Sequence, residues 1–186
     1  FFRAPAHVWQ LTDHQRCTLQ FSFLHLLVSE MPRFELSLSA EFENVQAFKA
    51  SPDVRYFLTL KCCNCGFQST PYVAPEEQVE LTTGRGHANL EIKCKDCKRV
   101  NSVLIEKEHV IKPTESPDFY PFVIFDCRGV EPVEFEARAG FLAKSTESAK
   151  VLEVDFAAST DFAGYDDDGN CPIGMYSLAY RFKKIK

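Results

Sequence analysis

The chain has 186 residues and carries 21 Lys and Arg against 26 Asp and Glu, a formal net charge of −5. With 45% hydrophobic residues it is no disordered chain, and its acidic balance argues against a protein that works by coating itself with phosphates. No stretch approaches the roughly 18 apolar residues of a membrane-spanning helix, and a chain of this length buries a core without staples, so its 8 cysteines need another explanation.

Residues 1–30 differ from the rest of the chain. They contain no Lys, hold three of the five His (His7, His14 and His25), and their charges cancel, so the whole −5 belongs to residues 31–186. The apolar run over 21–28 lies far from a basic segment and is followed by Ser29-Glu30 rather than a small-residue cleavage site, which argues against a signal peptide. Met31-Pro32-Arg33 reads as a natural start. Residues 1–30 therefore read as an N-terminal extension of doubtful status, or else a targeting or docking segment, ahead of a single β domain over 31–186.

From there the pattern is strand-like. Phe34, Leu36, Leu38, Ala40 and Phe42 alternate with polar residues, the period-2 signature of a strand with one buried face. Residues 56–61 predict a second strand, leading straight into Cys62-Cys63-Asn64-Cys65-Gly66. Gly84-Arg85-Gly86 reads as a hairpin turn; it lacks the third glycine of a dinucleotide-binding loop and leads into a strand. Residues 88–93 predict a third strand, ending at Cys94-Lys95-Asp96-Cys97, and 103–106 a fourth leaving it. Further strands fall at 122–127, 152–156 and 176–182. Residues 166–170 (Asp-Asp-Asp-Gly-Asn) read as a solvated acidic turn, because a calcium loop in that frame would need Asp at Gly164 and Glu at Met175. No 3.6-residue period is sustained, so the fold class is mainly β.

Two C-x-x-C clips, separated by 28 residues, are the most informative feature. A stapled secreted domain scatters its cysteines, whereas paired clips aim four thiolates at one ion, the closed tetrahedral set that Zn²⁺ prefers. A redox dithiol is the weaker reading, because no helical pattern follows Cys65, and unrelated buried cysteines are the third. Spacing selects Cys62 over Cys63, since only Cys62 makes C-x-x-C with Cys65. The expected ligands of one zinc per chain are thus Cys62, Cys65, Cys94 and Cys97, in a closed, buried shell at two knuckles like those of zinc ribbons. The formal −2 of such a site suits Lys61, Lys93 and Lys95 nearby and leaves no open position for catalysis. Gly66 suits the tight turn that frees amides to face thiolate sulfur. Cys127 reads as core packing or a partly exposed thiol, and Arg128 as the partner of a loop carboxylate or the mark of a partner-binding corner; His87 and His109 stand alone, without a nucleophile at readable spacing.

The second half echoes the first. Residues 122–127 resemble 57–62, including the terminal Cys, and 152–156 resemble 90–94 without a clip, with 176–182 answering the strand that leaves the second clip. This predicts two small antiparallel β units, 31–118 with the metal site and 119–186 as a metal-free pseudo-repeat.

From Met31 onward the chain resembles the eukaryotic CXXC-motif-containing zinc-binding proteins, a small family of unknown function. The resemblance rests on the two clips, the Gly84-Arg85-Gly86 turn, the run from Cys127 to Phe135 (Cys-Arg-Gly-Val-Glu-Pro-Val-Glu-Phe) and Ala139-Gly140-Phe141. It implies two β parts with quasi-twofold symmetry, a monomer, and zinc on Cys62, Cys65, Cys94 and Cys97, but no reaction. The functional expectation is a non-enzymatic zinc protein that docks another protein, cytoplasmic because its thiols must stay reduced, with nuclear access open. Two other readings remain: a nucleic-acid or ribonucleoprotein module using Lys95, Lys98 and Arg99, disfavoured by the net acidity, and a metal- or thiol-handling protein.

Overall fold

A computed structural model describes residues 32–113 and 118–186; the extension over 1–30, with Cys17, lies outside the described residues. Among the described residues fifteen strands follow one another in this order. The first half contributes β1 (Arg33–Glu43), β2 (Val45–Ala50), β3 (Tyr56–Cys62), β4 (Gln68–Ser69), β5 (Tyr72–Val73), β6 (Val79–Glu80), β7 (His87–Ala88), β8 (Leu90–Lys93) and β9 (Val100–Glu108). The second contributes β10 (Tyr120–Arg128), β11 (Val130–Glu136), β12 (Phe141–Ser145), β13 (Val151–Val154), β14 (Phe162–Asp166) and β15 (Cys171–Ile185). Among the described residues there is no helix, as the missing 3.6 period implied.

Strands form in every expected region, and the alternation in β1 does what it foretold: Phe34, Leu36 and Leu38 are buried on one face. The expected third strand is broken at Asn89, whose buried side chain acts as a splice between backbone segments. Its Nδ2 faces the carbonyls of Ala74, Pro75 and Glu77 at 3.1, 3.2 and 2.9 Å, while its Oδ1 accepts from the Ile105 amide at 2.8 Å. Asn89 thereby ties the insert between the clips to β9. The Gly84-x-Gly86 turn closes the β6–β7 hairpin, with both glycines at positive φ and the Leu81 amide bonded to the Gly86 carbonyl.

Among the described residues all pairings are antiparallel. A six-stranded sheet runs β14-β15-β1-β10-β9-β8, a four-stranded one β11-β3-β4 with β5 also on β3, and a three-stranded one β13-β12-β2. Every one of these sheets mixes strands from before and after residue 118, so the two halves interleave instead of forming side-by-side units. The expected echo is not reproduced in the pairing either: β8 and β9 form a hairpin around the second clip, whereas β13 pairs with β12 and β15 pairs with β1 and β14. The reason is physical. A period-2 strand has two open edges, and long-range side-chain packing, not the local pattern, selects which edge is filled.

That packing is aromatic, which accounts for much of the count of 17 Phe. Phe48 of β2 stacks on Phe122 and Phe141 with ring centroids 5.5 and 5.6 Å apart, and Phe156 closes on both Phe48 and Phe141. Tyr56 is wholly buried between Phe122, Phe125 and Phe135, its hydroxyl donating to Glu108 at 2.5 Å. Cys127 is in this core, as expected, and burial pushes its thiol well up, which leaves it inert.

The acidic turn at 166–170 is not uniformly solvated. Asp167 and Asp168 are exposed, but Asp166 is fully buried. Its carboxylate accepts from the Ser148 hydroxyl at 2.6 Å and from the amides of Asp168 and Gly169 at 3.1 and 3.0 Å. The Ser145 side chain and the Ser148 hydroxyl foremost, with the two amides, hold the carboxyl down at about 2. A carboxyl depressed on folding contributes stability above its unfolded value near 4 and loses it as the pH falls toward 2. Asp166→Asn is therefore expected to lower the melting temperature at neutral pH and to flatten the fall in stability between pH 4 and 2. Urea titrations across that range check it; parallel wild-type and variant curves would count against the role of this carboxylate.

Candidate metal centre

The four expected ligands arrive from two sheets. β3 of the four-stranded sheet ends on Cys62, and β8 of the six-stranded sheet hands on to Cys94. Each clip then folds into the same knuckle. In the first, the Cys62 amide donates to the Phe67 carbonyl at 2.8 Å and the Gly66 amide returns to the Cys62 carbonyl at 2.9 Å. In the second, the Cys94 amide donates to the Arg99 carbonyl at 2.8 Å and the Lys98 amide to the Cys94 carbonyl at 3.1 Å. Both turns need a left-handed residue after the second Cys: Gly66 at φ +80° and Lys98 at φ +62°.

That equivalence gives a paired expectation. A Cβ on Gly66 would meet nothing within 4 Å, so Gly66→Ala should cost only the left-handed penalty, about 1–2 kcal/mol. Lys98→Gly removes the same strain against the extra chain entropy of Gly, and should be neutral or stabilising by up to about 1 kcal/mol. Denaturant midpoints of the two variants are expected to move apart; a shared direction would refute the common knuckle geometry.

The thiols converge. Sγ of Cys62 lies 3.8 Å from that of Cys97, Sγ of Cys65 lies 3.5 Å from that of Cys94, and all four sulfurs fall within 4.8 Å of one another. Four sulfurs at the usual Zn–S length of about 2.3 Å form a tetrahedron with edges of about 3.8 Å, so the donor set fits such an ion in type and spacing. Cys63 is exposed and stands outside the group. The expected burial is met only in part. Cys62 and Cys94 are buried, Cys97 is half-buried and Cys65 is exposed, because the outer Cys of each clip rides on a tight turn rather than on a strand.

Backbone amides prepare the sulfurs for negative charge. The amides of Cys65 and Asn64 draw the Cys62 thiol down to about 6, and the Arg99 amide, helped by the Asn64 side chain, lowers Cys97. The Phe67 amide favours the Cys65 thiolate too, but burial and the competing sulfurs of Cys94, Cys97 and Cys62 push Cys65 up to about 12. Four sulfurs this close cannot all be anionic without a cation among them. Lys61, Lys93 and Lys95 are exposed nearby, and among the described residues none forms an ion pair.

Other expected residues fall elsewhere. Arg128 is exposed and meets Asp126, two residues back on its own strand, at 3.8 Å, rather than a loop carboxylate. His87 is exposed and His109 half-buried, and neither joins the thiol group. Sequence reasoning passed over Asn64, Asn89 and Asn101; Asn101 is buried with its Nδ2 4.0 Å from the Cys62 sulfur. An isolated Asn carries no periodic signal, so nothing local marked them.

Fold and site together define an all-β protein in which two of the sheets meet at a four-thiol centre. The chain matches the family model of the eukaryotic CXXC motif containing zinc binding protein over residues 35–183, and it belongs to that family. A UPF0587 protein of Nematostella vectensis is 38% identical over 83% of this chain and 100% of its own length. The CXXC motif containing zinc binding protein of Homo sapiens is 36% identical over 83% of this chain and 99% of its own. Among solved structures, that titled "Crystal Structure of C1orf123" superposes with TM-score 0.76 at 33% identity, over 82% of this chain and 99% of the other. A hypothetical protein from Plasmodium falciparum, at 18% identity and TM-score 0.73, shares the fold.

Proposed function

We propose that the chain binds one Zn²⁺ through Cys62, Cys65, Cys94 and Cys97, and that the ion staples two sheets of a non-enzymatic protein that docks another protein. The observation that carries the zinc reading is the convergence of four sulfurs from two clips borne on different sheets. An all-thiolate set fills the coordination shell, which favours a structural over a catalytic role. For docking, the support is an open cleft of about 410 Å³ beside β11, the edge strand of its sheet, lined by Phe57, Phe135 and Tyr180 among others. The need for four reduced thiols favours the cytoplasm as the working compartment.

Two features favour other readings. Lys95, Lys98 and Arg99 are exposed on the second knuckle, as a nucleic-acid module would have them, and exposed Cys65 gives the metal a route to exchange. Metal analysis of purified protein is expected to give about one zinc per chain, retained in Cys63→Ser; equal loss from Cys63→Ser would overturn the ligand set. Affinity capture with wild-type and Cys62→Ser/Cys65→Ser baits should recover a partner that prefers the metal-loaded form. Salt-sensitive RNA binding in the micromolar range, or rapid zinc transfer to a chelator, would replace the docking reading.

A further inference from the structure

The two knuckles must be held at one distance for four sulfurs to share an ion, and the metal-binding residues alone do not set that distance. Gly129 is the single residue between β10 of the six-stranded sheet and β11 of the four-stranded sheet, the point where the chain passes from one to the other. Its φ of +78° makes the crossing, and its carbonyl accepts from the Cys63 amide at 3.0 Å, inside the first knuckle. Asn101 stands on β9, just after the second knuckle, and is 3% exposed. Its Nδ2 points at the Cys62 sulfur of the first knuckle from 4.0 Å, and its Oδ1 finds no hydrogen-bond partner among the described residues. What Oδ1 faces is Gly129: a Cβ built there would lie 2.2 Å from it.

A buried carbonyl oxygen left without a partner is costly and calls for a reason. The reverse orientation of the amide would put its oxygen against a thiolate, so the sulfur selects the NH₂ group as the one that faces it. From this geometry we propose that Asn101 is a positioning residue of the metal centre. Its amide donates to the Cys62 sulfur across the sheet junction, and Gly129 is the residue that leaves room for it. The proposal rests on the zinc reading of the four thiols. Groups that donate to metal ligands spread the charge of an anionic centre, and their loss typically weakens metal binding by 10–100-fold. Only glycine serves at 129, because it alone supplies both the left-handed turn and the empty Cβ position.

The test uses the full chain and Zn²⁺ in competition with a chromophoric chelator, with Co²⁺ as a spectroscopic probe. Asn101→Asp keeps the shape but sets an oxygen against the sulfur; it should weaken zinc binding by about 10–100-fold and move the sulfur-to-cobalt charge-transfer band to lower energy. Asn101→Ala should shift the band the same way, by less. Gly129→Ala should weaken zinc binding in the presence of Asn101 and far less in an Asn101→Ala chain, where no amide is left to displace. Wild-type zinc affinity and an unmoved cobalt band in Asn101→Asp overturn the proposal. So does a lower melting temperature of the metal-free variant with unchanged affinity, which would make Asn101 a packing residue only. A wild-type chain that takes up no metal overturns the zinc reading itself, whatever the variants do.

Discussion

Serine at both Cys62 and Cys65 is expected to abolish metal binding and to unfasten one edge of the molecule without dissolving its core. The clip belongs to the four-stranded sheet and its partner Cys94 and Cys97 to the six-stranded one, so the loss acts on the junction between them. In peptides whose fold depends on the ion, zinc supplies roughly 10–16 kcal/mol, but here a packed aromatic core contributes beside it. The linkage is therefore better judged from mass action: free zinc at 1,000 times its Kd stabilises by about 4 kcal/mol. At about 2–4 °C per kcal/mol for a chain of this size, the melting temperature should fall by roughly 8–16 °C. Hydrogen exchange should rise first at the knuckle amides of Cys62, Gly66, Cys94 and Lys98, whose bonds close the two turns, and last in β1 and β10. An unchanged melting temperature after metal loss would show that the core alone holds the sheets together.

Phe48→Ala should cost as much by a different route. The ring is 1% exposed and meets Phe122 of the six-stranded sheet as well as Phe141 and Phe156, while its backbone exchanges two 2.8 Å hydrogen bonds with Ile111. Truncating a Phe so enclosed costs about 3–5 kcal/mol through lost transfer energy and the cavity left behind. Against a total of about 5–15 kcal/mol, this is a large share of what holds the fold. Phe48 lies on β2, in a sheet that carries neither clip, so the folded fraction of the variant should still bind its full complement of metal. Chemical denaturation and metal analysis of one sample separate the two effects; loss of metal with intact secondary structure would mean that core and centre are coupled.

Legibility in the sequence followed the range of the interaction. Alternation in Phe34, Leu36 and Leu38 marked β1 because burial on one face imposes period 2 on the chain itself. β11 escaped a strand assignment because Pro132 interrupts it, and Pro argues against a central strand; β11 proves to be a sheet edge, where a missing donor is tolerated. β14 was hidden by Gly164, and β2 by the adjacent Ala47 and Phe48, which break the period-2 alternation. Asp166 looked solvated because its neighbours Asp167 and Asp168 are; the hydroxyl and amides that take the place of water on its buried carboxylate arrive from another turn as well as its own.

The eight cysteines divide in the same way. The sequence alone established that four of them form two clips of metal-ligand spacing, because a knuckle is a local turn of six residues whose chemistry is written in consecutive positions. The left-handed residue after each clip was half legible, as Gly66 but not as Lys98. Only the tertiary structure decided that the clips ride on different sheets, that the two halves of the chain interleave, that Cys65 reaches solvent while Cys62 does not, and that Asn101 and Gly129 stand between the knuckles. Each of these depends on which strand edge meets which, a choice made by packing between residues far apart in the chain, and the local pattern of a strand is the same whichever partner it takes.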